Sequence, residues 1–295
     1  QTAMQTTLQR LSQSPTALNL AAATISGVTA ARTLLAPSRE PARVDEFGED
    51  QAVVERTGPT LDFLYRHYFR VSVEGAEHLK SGPLLAICNH AGTLPLDGPL
   101  VRSALERSLP GSQARWLVED GLFYAPFLGT WLNRMGAVRA CPENATRLLE
   151  EGKPVAVFPE GMWGLQKTFR KRYQLQRFGR GGFVKLALKT GATLVPTAIV
   201  GIEESMPVLG TLPAGLFGLP FIPVTPTFPL FGLAGLAPLP TKWTIAFAEP
   251  LDLSQYKPEA ASDLALVQRL TEEVRERLHN ELKRVRQSRR SVFRS

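Results

Sequence analysis

Residues Leu84–Gly98 read LLAICNHAGTLPLDG, and the fold prediction depends on this stretch. Its apolar run, Leu84–Cys88, has the length and composition of a buried strand. Asn89 and His90 follow the strand and begin a loop that contains Gly and Pro. The loop ends at Asp97, where a helix is predicted to begin. Because open α/β sheets place their sites at the carboxyl ends of strands, the residues after this strand are candidate site residues.

A second apolar strand ends in the same way. Residues Val155–Trp163 read VAVFPEGMW, and the strand stops at Phe158, Pro159, Glu160 and Gly161. A carboxylate and free backbone N–H groups at a sheet end can bind a hydroxylated or phosphorylated group, or a developing oxyanion. The alternative interpretation is a turn carboxylate without a functional role.

His90 is a candidate general base. Histidine suits proton abstraction near neutral pH, although a buried, hydrogen-bonded histidine is the more common case. A carboxylate at Asp97 would orient the imidazole, and an aspartate before Gly-Pro is also a good helix N-cap. The sequence has no Gly-x-Ser-x-Gly nucleophile motif, and Cys88 belongs to the apolar strand as a core residue. We therefore expect His90 to activate a substrate hydroxyl directly, which indicates a transfer reaction.

The composition is that of a globular chain with an excess of basic residues. Of 295 residues, 44% are apolar and 21% are charged, which favours one large domain with an appendage. The net charge of +7 indicates an anionic partner: nucleic acid, phosphorylated metabolites or an anionic bilayer. The two cysteines, Cys88 and Cys141, lie in apolar contexts, so neither a disulfide framework nor a metal site is expected.

Strands alternate with helices from residue 84 onward, which predicts an α/β layered domain. We expect a mixed, mostly parallel sheet with helices on both faces. The predicted strands are 69–74, 84–88, 115–118, 155–158, 193–201 and 243–247. The predicted helices are 51–68 (interrupted near Gly58 and Pro59), 98–108, 127–135, 142–151, 182–190 and an amphipathic C-terminal helix. Pro196 suggests that strand 193–201 is an edge strand or contains a bulge.

Three segments outside this pattern are candidates for contact with a membrane. Residues 1–45 form a predicted loose helix and linker before the main domain, 46–295. The stretch 206–239 is rich in Gly, Pro, Phe and Leu and has no charged residue; it either covers a tunnel mouth or, as we favour, contacts lipid. The C-terminal helix ends in a basic tail. Because two weak anchors together give stable binding, we expect peripheral membrane association.

A run of basic residues follows the second candidate strand end. Between Lys167 and Lys189 there are eight Lys or Arg and no Asp or Glu, and Arg170, Lys171 and Arg172 are consecutive. A run of charges is commonly a solvated face. Because this one directly follows the candidate site, a clamp for a phosphate or an acidic carrier is at least as good an interpretation.

Four sequence blocks, in this order, resemble the PlsC-type glycerolipid acyltransferase family. They are Asn89-His90 with Asp97, Gly136–Arg139 followed by Pro142–Ala145, Phe158–Gly161, and Val195–Gly201. The resemblance is closest to a divergent glycerol- and diacylglycerol-type branch. Six residues, Ala91–Leu96, separate the histidine from the aspartate. This spacing is longer than is usual in the family, so we expect the loop to bulge.

The resemblance implies a PlsC-like fold and an O-acyltransferase activity. It implies that His90, oriented by Asp97, deprotonates a lipid hydroxyl, which attacks the thioester of acyl-CoA or an acyl carrier protein. It also implies that Asn89, Arg139 and Phe158–Gly161 contribute to binding a glycerolipid acceptor such as lysophosphatidate, and that no metal or cofactor is needed.

Other interpretations stay open at the level of the sequence. A neutral mono- or diacylglycerol is an alternative acceptor, since the second block has Arg139-Ala140-Cys141 in place of the family's Asp-Arg pair. A non-catalytic lipid-binding protein on the same fold would account for the altered His–Asp spacing. Nucleic-acid binding is not expected, because no recognition motif accompanies the basic charge. We expect a peripheral protein on the cytoplasmic side of an anionic membrane.

Overall fold

The computed structural model describes residues 43–92, 94–124, 128–214 and 221–293. The predicted N-terminal helix and most of the linker before residue 46 therefore lie outside the described residues. Within the described ranges, no helix combines the length and the apolar composition needed to cross a membrane.

The described residues contain one large mixed sheet and a separate hairpin. The strands are β1 (Ser72–Glu74), β2 (Leu84–Cys88), β3 (Arg115–Val118), β4 (Ala137–Arg139), β5 (Pro154–Val157), β6 (Thr193–Val200), β7 (Gly210–Pro213), β8 (Phe221–Val224) and β9 (Thr244–Phe247). The large sheet has the order β1-β9-β6-β2-β5-β3-β4. Its described neighbours pair in parallel, except for the antiparallel pair β6–β9. The predicted mixed, mostly parallel sheet is confirmed.

Helices cover both faces of this sheet. They are α1 (Gln51–Phe63), α2 (Asp97–Ser108), α3 (Asp120–Phe123), α4 (Leu128–Arg134), α5 (Pro142–Glu150), α6 (Met162–Leu165), α7 (Gly182–Thr190), α8 (Ile202–Ser205) and α9 (Leu264–Ser288). A π-helical turn, Leu64–Tyr68, extends α1. Short 3-10 turns lie at Ala76–His78, Phe169–Lys171, Gly232–Leu236 and Pro258–Ser262.

Strand β2 is buried on both faces, between two hydrophobic cores. Leu84, Ala86 and Cys88 belong to the core that contains side chains of α1 and α2. Leu85 and Ile87 belong to the core that contains side chains of α5, α7 and α9. Alternate side chains of a strand point to opposite faces, so a central parallel strand needs a continuous apolar run. The sequence LLAIC meets this requirement.

Helix α1 continues through the predicted interruption at Gly58 and Pro59, so that prediction was wrong. Proline disfavours the helical conformation of the preceding residue partly through a clash with its Cβ, which Gly58 lacks. Pro59 also removes the hydrogen-bond donor for the carbonyl of Glu55, one turn earlier. Glu55 and Pro59 are both exposed, so the missing bond lies on the solvent side of the helix.

Strand β1 is shorter than the alternation in FRVSVE predicts. Arg70 has a left-handed backbone conformation with φ of 46°, which separates Phe69 from the strand. Phe69 is fully buried, and its ring centroid lies 4.5 Å from that of Trp243. Only Ser72–Glu74 pairs with β9.

Pro196 lies in an interior strand, which corrects the edge-strand interpretation. β6 pairs with β2 on one side and β9 on the other. Thr197 is paired with Phe247, whereas the bridge at Leu194 is to Leu251, so one extra residue lies on the β9 side. This irregularity is a bulge, the second of the two predicted explanations for Pro196. It accommodates the proline, whose nitrogen cannot donate a hydrogen bond to the neighbouring strand.

The stretch 206–239 contains a hairpin outside the large sheet. β7 and β8 pair with each other in antiparallel register. Four large apolar side chains of this stretch, Leu209, Leu212, Leu230 and Phe231, are each more than half exposed. This apolar insertion follows the carboxyl end of β6, the edge of the sheet at which β2 delivers His90.

We expect Gly98→Ala to destabilise the fold. A Cβ on Gly98 would overlap the buried ring of Trp116, so the usual benefit of alanine in a helix is outweighed by overpacking, which costs about 1–3 kcal/mol. Gly182→Ala is the matched control, because Gly182 is exposed at the start of α7 with open space around its Cβ position. Urea unfolding should show a lower midpoint for the first variant only. Equal midpoints would contradict the packing argument.

Candidate active site

His90 and Asp97 form a hydrogen-bonded pair at the carboxyl end of β2. The Nδ1 atom of His90 is bonded to the carboxylate of Asp97, and both side chains are buried. The other oxygen of this carboxylate accepts the N–H of Gly98 at 3.0 Å. The predicted N-cap role of Asp97 was wrong: Asp97 is the first residue of α2, and the N-cap is Leu96, which has no side-chain capping bond.

The long loop between the two residues permits this contact. Gly92 has a φ of 79°, a conformation that favours glycine, and the N–H of Leu96 donates to the carbonyl of Leu94 at 2.8 Å. These two turns shorten the path along the chain. The loop thereby brings Asp97 to His90 in spite of the additional residues between them.

Asn89 connects β2 to β6 beyond the end of the regular ladder. Its Oδ1 accepts the N–H of Ile199 at 2.7 Å, and its Nδ2 donates to the carbonyl of Ile199 at 3.0 Å. The side chain is completely buried. The amide is thus occupied by the backbone of β6 and fixes the residue that precedes the histidine. The contact with substrate that the resemblance implies for Asn89 stays a prediction.

Glu160 holds the backbone of His90 from the neighbouring strand end. Its carboxylate accepts the N–H of His90 at 2.9 Å and the N–H of Gln176 at 2.7 Å. Lys167 lies 3.3 Å from the same carboxylate and 3.0 Å from that of Glu203. The Glu160 side chain has no exposed area, and its carboxylate holds the backbone of His90. Binding of an acceptor by the Phe158–Gly161 segment stays a prediction.

In the buried ion cluster around Lys167, the positive charge of the lysine compensates the carboxylates of Glu160 and Glu203. Burial disfavours the charge on Lys167, but Glu203 and Glu160 outweigh it and hold the pKa of Lys167 above its ordinary value. Burial raises the pKa of Glu203, against the opposing effect of Lys167. Lys167 belongs to the predicted basic clamp, but the structure pairs it internally.

Gly164 is a site residue that the sequence analysis missed. A Cβ at this position would lie 2.7 Å from the Cβ of His90 and 2.8 Å from its carbonyl oxygen. Only a glycine lets α6 approach the histidine this closely. The single glycine in MWGL has no periodicity or turn signature, so the sequence offers no signal for this contact.

An open cleft of about 310 Å³ lies in front of the histidine. The ring of Phe158 borders it, with its centroid 4.6 Å from that of the His90 imidazole. Pro159 and Gly161 also line the cleft, as do residues of β3 and α6. Because Nδ1 is bound to Asp97, Nε2 is the imidazole nitrogen available to a molecule in the cleft.

The predicted basic residues lie outside this cleft. Arg139 is exposed, pairs with Asp120 and lines a separate groove with residues of α4. Its hydrogen bond lowers the pKa of Asp120. Arg170 and Lys171 are exposed on a 3-10 turn, and the guanidinium of Arg172 lies 4.4 Å from the ring centroid of Phe169. The structure therefore does not bring these residues together with His90.

Two other chemistries receive no support from the described residues. Burial, and to a lesser extent the charge of Asp97, raises the pKa of the Cys88 thiol well above its ordinary value, which disfavours a thiolate nucleophile. Across the described ranges there is no group of three or more His, Cys, Asp or Glu side chains arranged to hold a metal ion.

Comparisons with known proteins agree with this fold. The acyltransferase family matches residues 70–200. An uncharacterized protein of Mycobacterium leprae is 47% identical over 258 residues, which cover 85% of this chain and 70% of that protein. The chain belongs to the acyltransferase family.

More distant matches come from plants and bacteria. The chloroplastic 1-acyl-sn-glycerol-3-phosphate acyltransferase LPAT1 of Arabidopsis thaliana is 29% identical over 152 residues, which cover 48% of this chain and 38% of that protein. The crystal structure of PlsC, the 1-acyl-sn-glycerophosphate acyltransferase from Thermotoga maritima, matches with a TM-score of 0.51 and 16% identity, covering 94% of this chain and 98% of that one. The PlsC-like fold is confirmed.

We expect Lys167→Met to destabilise the protein strongly. It leaves Glu160 and Glu203 buried without a cation, which costs about 3–5 kcal/mol. A buried carboxyl with a raised pKa binds its proton preferentially in the folded state, so the loss should shrink as the pH falls. Urea unfolding at mildly alkaline and mildly acidic pH measures both effects.

Lys171→Met is the control, because it makes the same chemical change at an exposed position. Its effect should stay within about 0.5 kcal/mol. A loss of similar size in both variants would show that the buried cluster is not the cause.

Proposed function

We propose that this protein transfers an acyl group from an acyl thioester to a hydroxyl of a glycerolipid. The observation that supports this most directly is the His90–Asp97 pair at the cleft. It is a base with an orienting carboxylate, and no nucleophilic side chain of the described residues accompanies it. The altered spacing, which favoured a non-catalytic lipid-binding protein, does not prevent the contact between the two side chains.

In this proposal the two reacting molecules meet in front of Nε2 of His90. This nitrogen takes the proton of the acceptor hydroxyl as the oxygen attacks the thioester carbonyl carbon, and a tetrahedral oxyanion forms. The intermediate then collapses: the carbon–sulfur bond breaks, and the imidazolium returns its proton to the thiolate. The products are an ester and a free thiol, and Asp97 stabilises the imidazolium between the two proton transfers.

The donor is acyl-CoA or an acyl carrier protein in this proposal. Arg170 and Lys171 support it, because both are exposed cations with no carboxylate partner in the part of the chain that the structure describes. Exposed cations on the protein surface attract the phosphates of coenzyme A or the acidic surface of a carrier protein. The relatives include a 1-acyl-sn-glycerol-3-phosphate acyltransferase and a diacylglycerol O-acyltransferase 2-like protein.

His90→Ala should reduce acyl transfer by about a hundred- to ten-thousand-fold, the usual contribution of a general base. The measurement is thiol release from acyl-CoA in detergent, with lysophosphatidate, monoacylglycerol or diacylglycerol as the acceptor. His279→Ala is the control, since His279 is exposed on α9. Full acyl transfer by His90→Ala would refute the proposed function.

We further propose that the protein works at a membrane surface. Leu209, Leu212, Leu230 and Phe231 expose apolar area in one insertion without charged residues. The N–H of Phe169 donates to the carbonyl of Val208 at 2.7 Å, which ties the turn that carries Arg170 and Lys171 to this insertion. Apolar side chains beside exposed cations fit the surface of an anionic bilayer.

Serine substitutions at Leu230 and Phe231 should weaken co-sedimentation with anionic phospholipid vesicles. Each removes an exposed apolar side chain, so the fold should keep its stability while the membrane loses buried area. Leu264→Ser is the control, because Leu264 is equally exposed but lies at the start of α9. Unchanged sedimentation of the double variant would contradict this membrane surface.

A further inference from the structure

The described lining of the cleft in front of His90 lacks the positively charged side chains that are typical of a phosphate-binding site. Among the described residues that line it, none is a lysine or an arginine. Its walls are mainly apolar, with Trp116, Val118, Leu122 and Trp163 among them. A phosphate removed from water needs cations or several N–H donors, whereas these four side chains carry no charge and only the two indoles have an N–H.

The cations closest to the cleft in sequence are paired with carboxylates elsewhere. Lys167 is buried between Glu160 and Glu203 and is not among the residues that line the cleft. Arg139 is bound to Asp120 and lines the groove beside α4, whereas its neighbour Ala140 lines the cleft. Consecutive residues of an extended chain point to opposite faces, so the side chain of Arg139 is directed away from the cleft.

One charged side chain at the mouth of the cleft is free, and it is an anion. Glu119 follows β3 directly, lines the cleft and is exposed. Its Oε2 lies 3.6 Å from the position of a Cβ on Gly161, at the end of the Phe158–Gly161 segment. In the described structure its carboxylate has no hydrogen bond and no ion pair.

We propose that Glu119 selects an uncharged acylglycerol with free hydroxyls as the acceptor. This inference rests on the proposed function and names its acceptor class. The carboxylate accepts a hydrogen bond from a second hydroxyl of the glycerol unit, while Nε2 of His90 takes the proton of the reacting one. The same carboxylate repels a phosphomonoester in that place, because like charges a few ångströms apart disfavour each other even near water.

The test compares monoacylglycerol with lysophosphatidate of the same acyl chain, using the purified full chain and acyl-CoA. We expect kcat/KM for monoacylglycerol to exceed that for lysophosphatidate roughly tenfold, an effect in the range expected of one nearby charge. Glu119→Lys should reverse this preference, and Glu119→Gln should reduce it. Glu276→Lys is the control, since it makes the same change of charge at an exposed position of α9.

Each result bears on the inference in a defined way. The inference is supported if the wild-type protein prefers monoacylglycerol, Glu119→Lys reverses this preference and Glu276→Lys retains it. A wild-type preference for lysophosphatidate overturns the inference, as does a preference for lysophosphatidate that Arg139→Ala abolishes. Both results leave the acyltransferase proposal intact. A preference that survives Glu119→Lys overturns the role of Glu119. Absence of transfer to every acceptor, with no difference between wild type and His90→Ala, overturns the proposed function and the inference together.

Discussion

The carboxylate of Glu160 is the constraint on which the site depends. It is enclosed between two strand ends and accepts backbone N–H groups from His90 and Gln176. A buried carboxylate is costly unless a cation and hydrogen-bond donors compensate it, and Lys167 supplies the cation. Three distant parts of the chain therefore have to be in place together. The position of the imidazole follows from this cluster and from the amide of Asn89, which ties the same loop to Ile199.

The sheet gives this cluster a rigid base. β2 is buried on both faces and pairs with β5 and β6, so the ends of three parallel strands meet at one edge. Parallel strands buried by helices on both sides present their carboxyl ends to the same crevice. The antiparallel β9 then brings the chain back beside β6, and the bulge opposite Pro196 accommodates the residue without an N–H. The apolar insertion leaves the sheet at this same edge.

Much of the fold was predictable, because its signals are local. The apolar runs of β2 and β5, the start of the helix at residue 142 and the end of the helix at residue 190 were predicted from the sequence. The path of α1 through Pro59 was not, because the effect of proline depends on the residue before it and on which side of the helix faces solvent. The interior position of β6 was also missed, since one proline does not reveal which neighbours a strand will have.

By itself, the sequence determined the strand–helix alternation, the mixed sheet and the place of His90 and Asp97 after a buried strand, since these depend on periodicity and short-range order. Only the tertiary structure decided which polar groups serve the site. Glu160, Asn89 and Lys167 are buried and occupied by internal partners, while Glu119 stands free in the cleft. The type of a residue limits which hydrogen bonds and ion pairs its side chain can make. Which of them it does make depends on partners that folding brings from distant positions, and no local pattern encodes that choice.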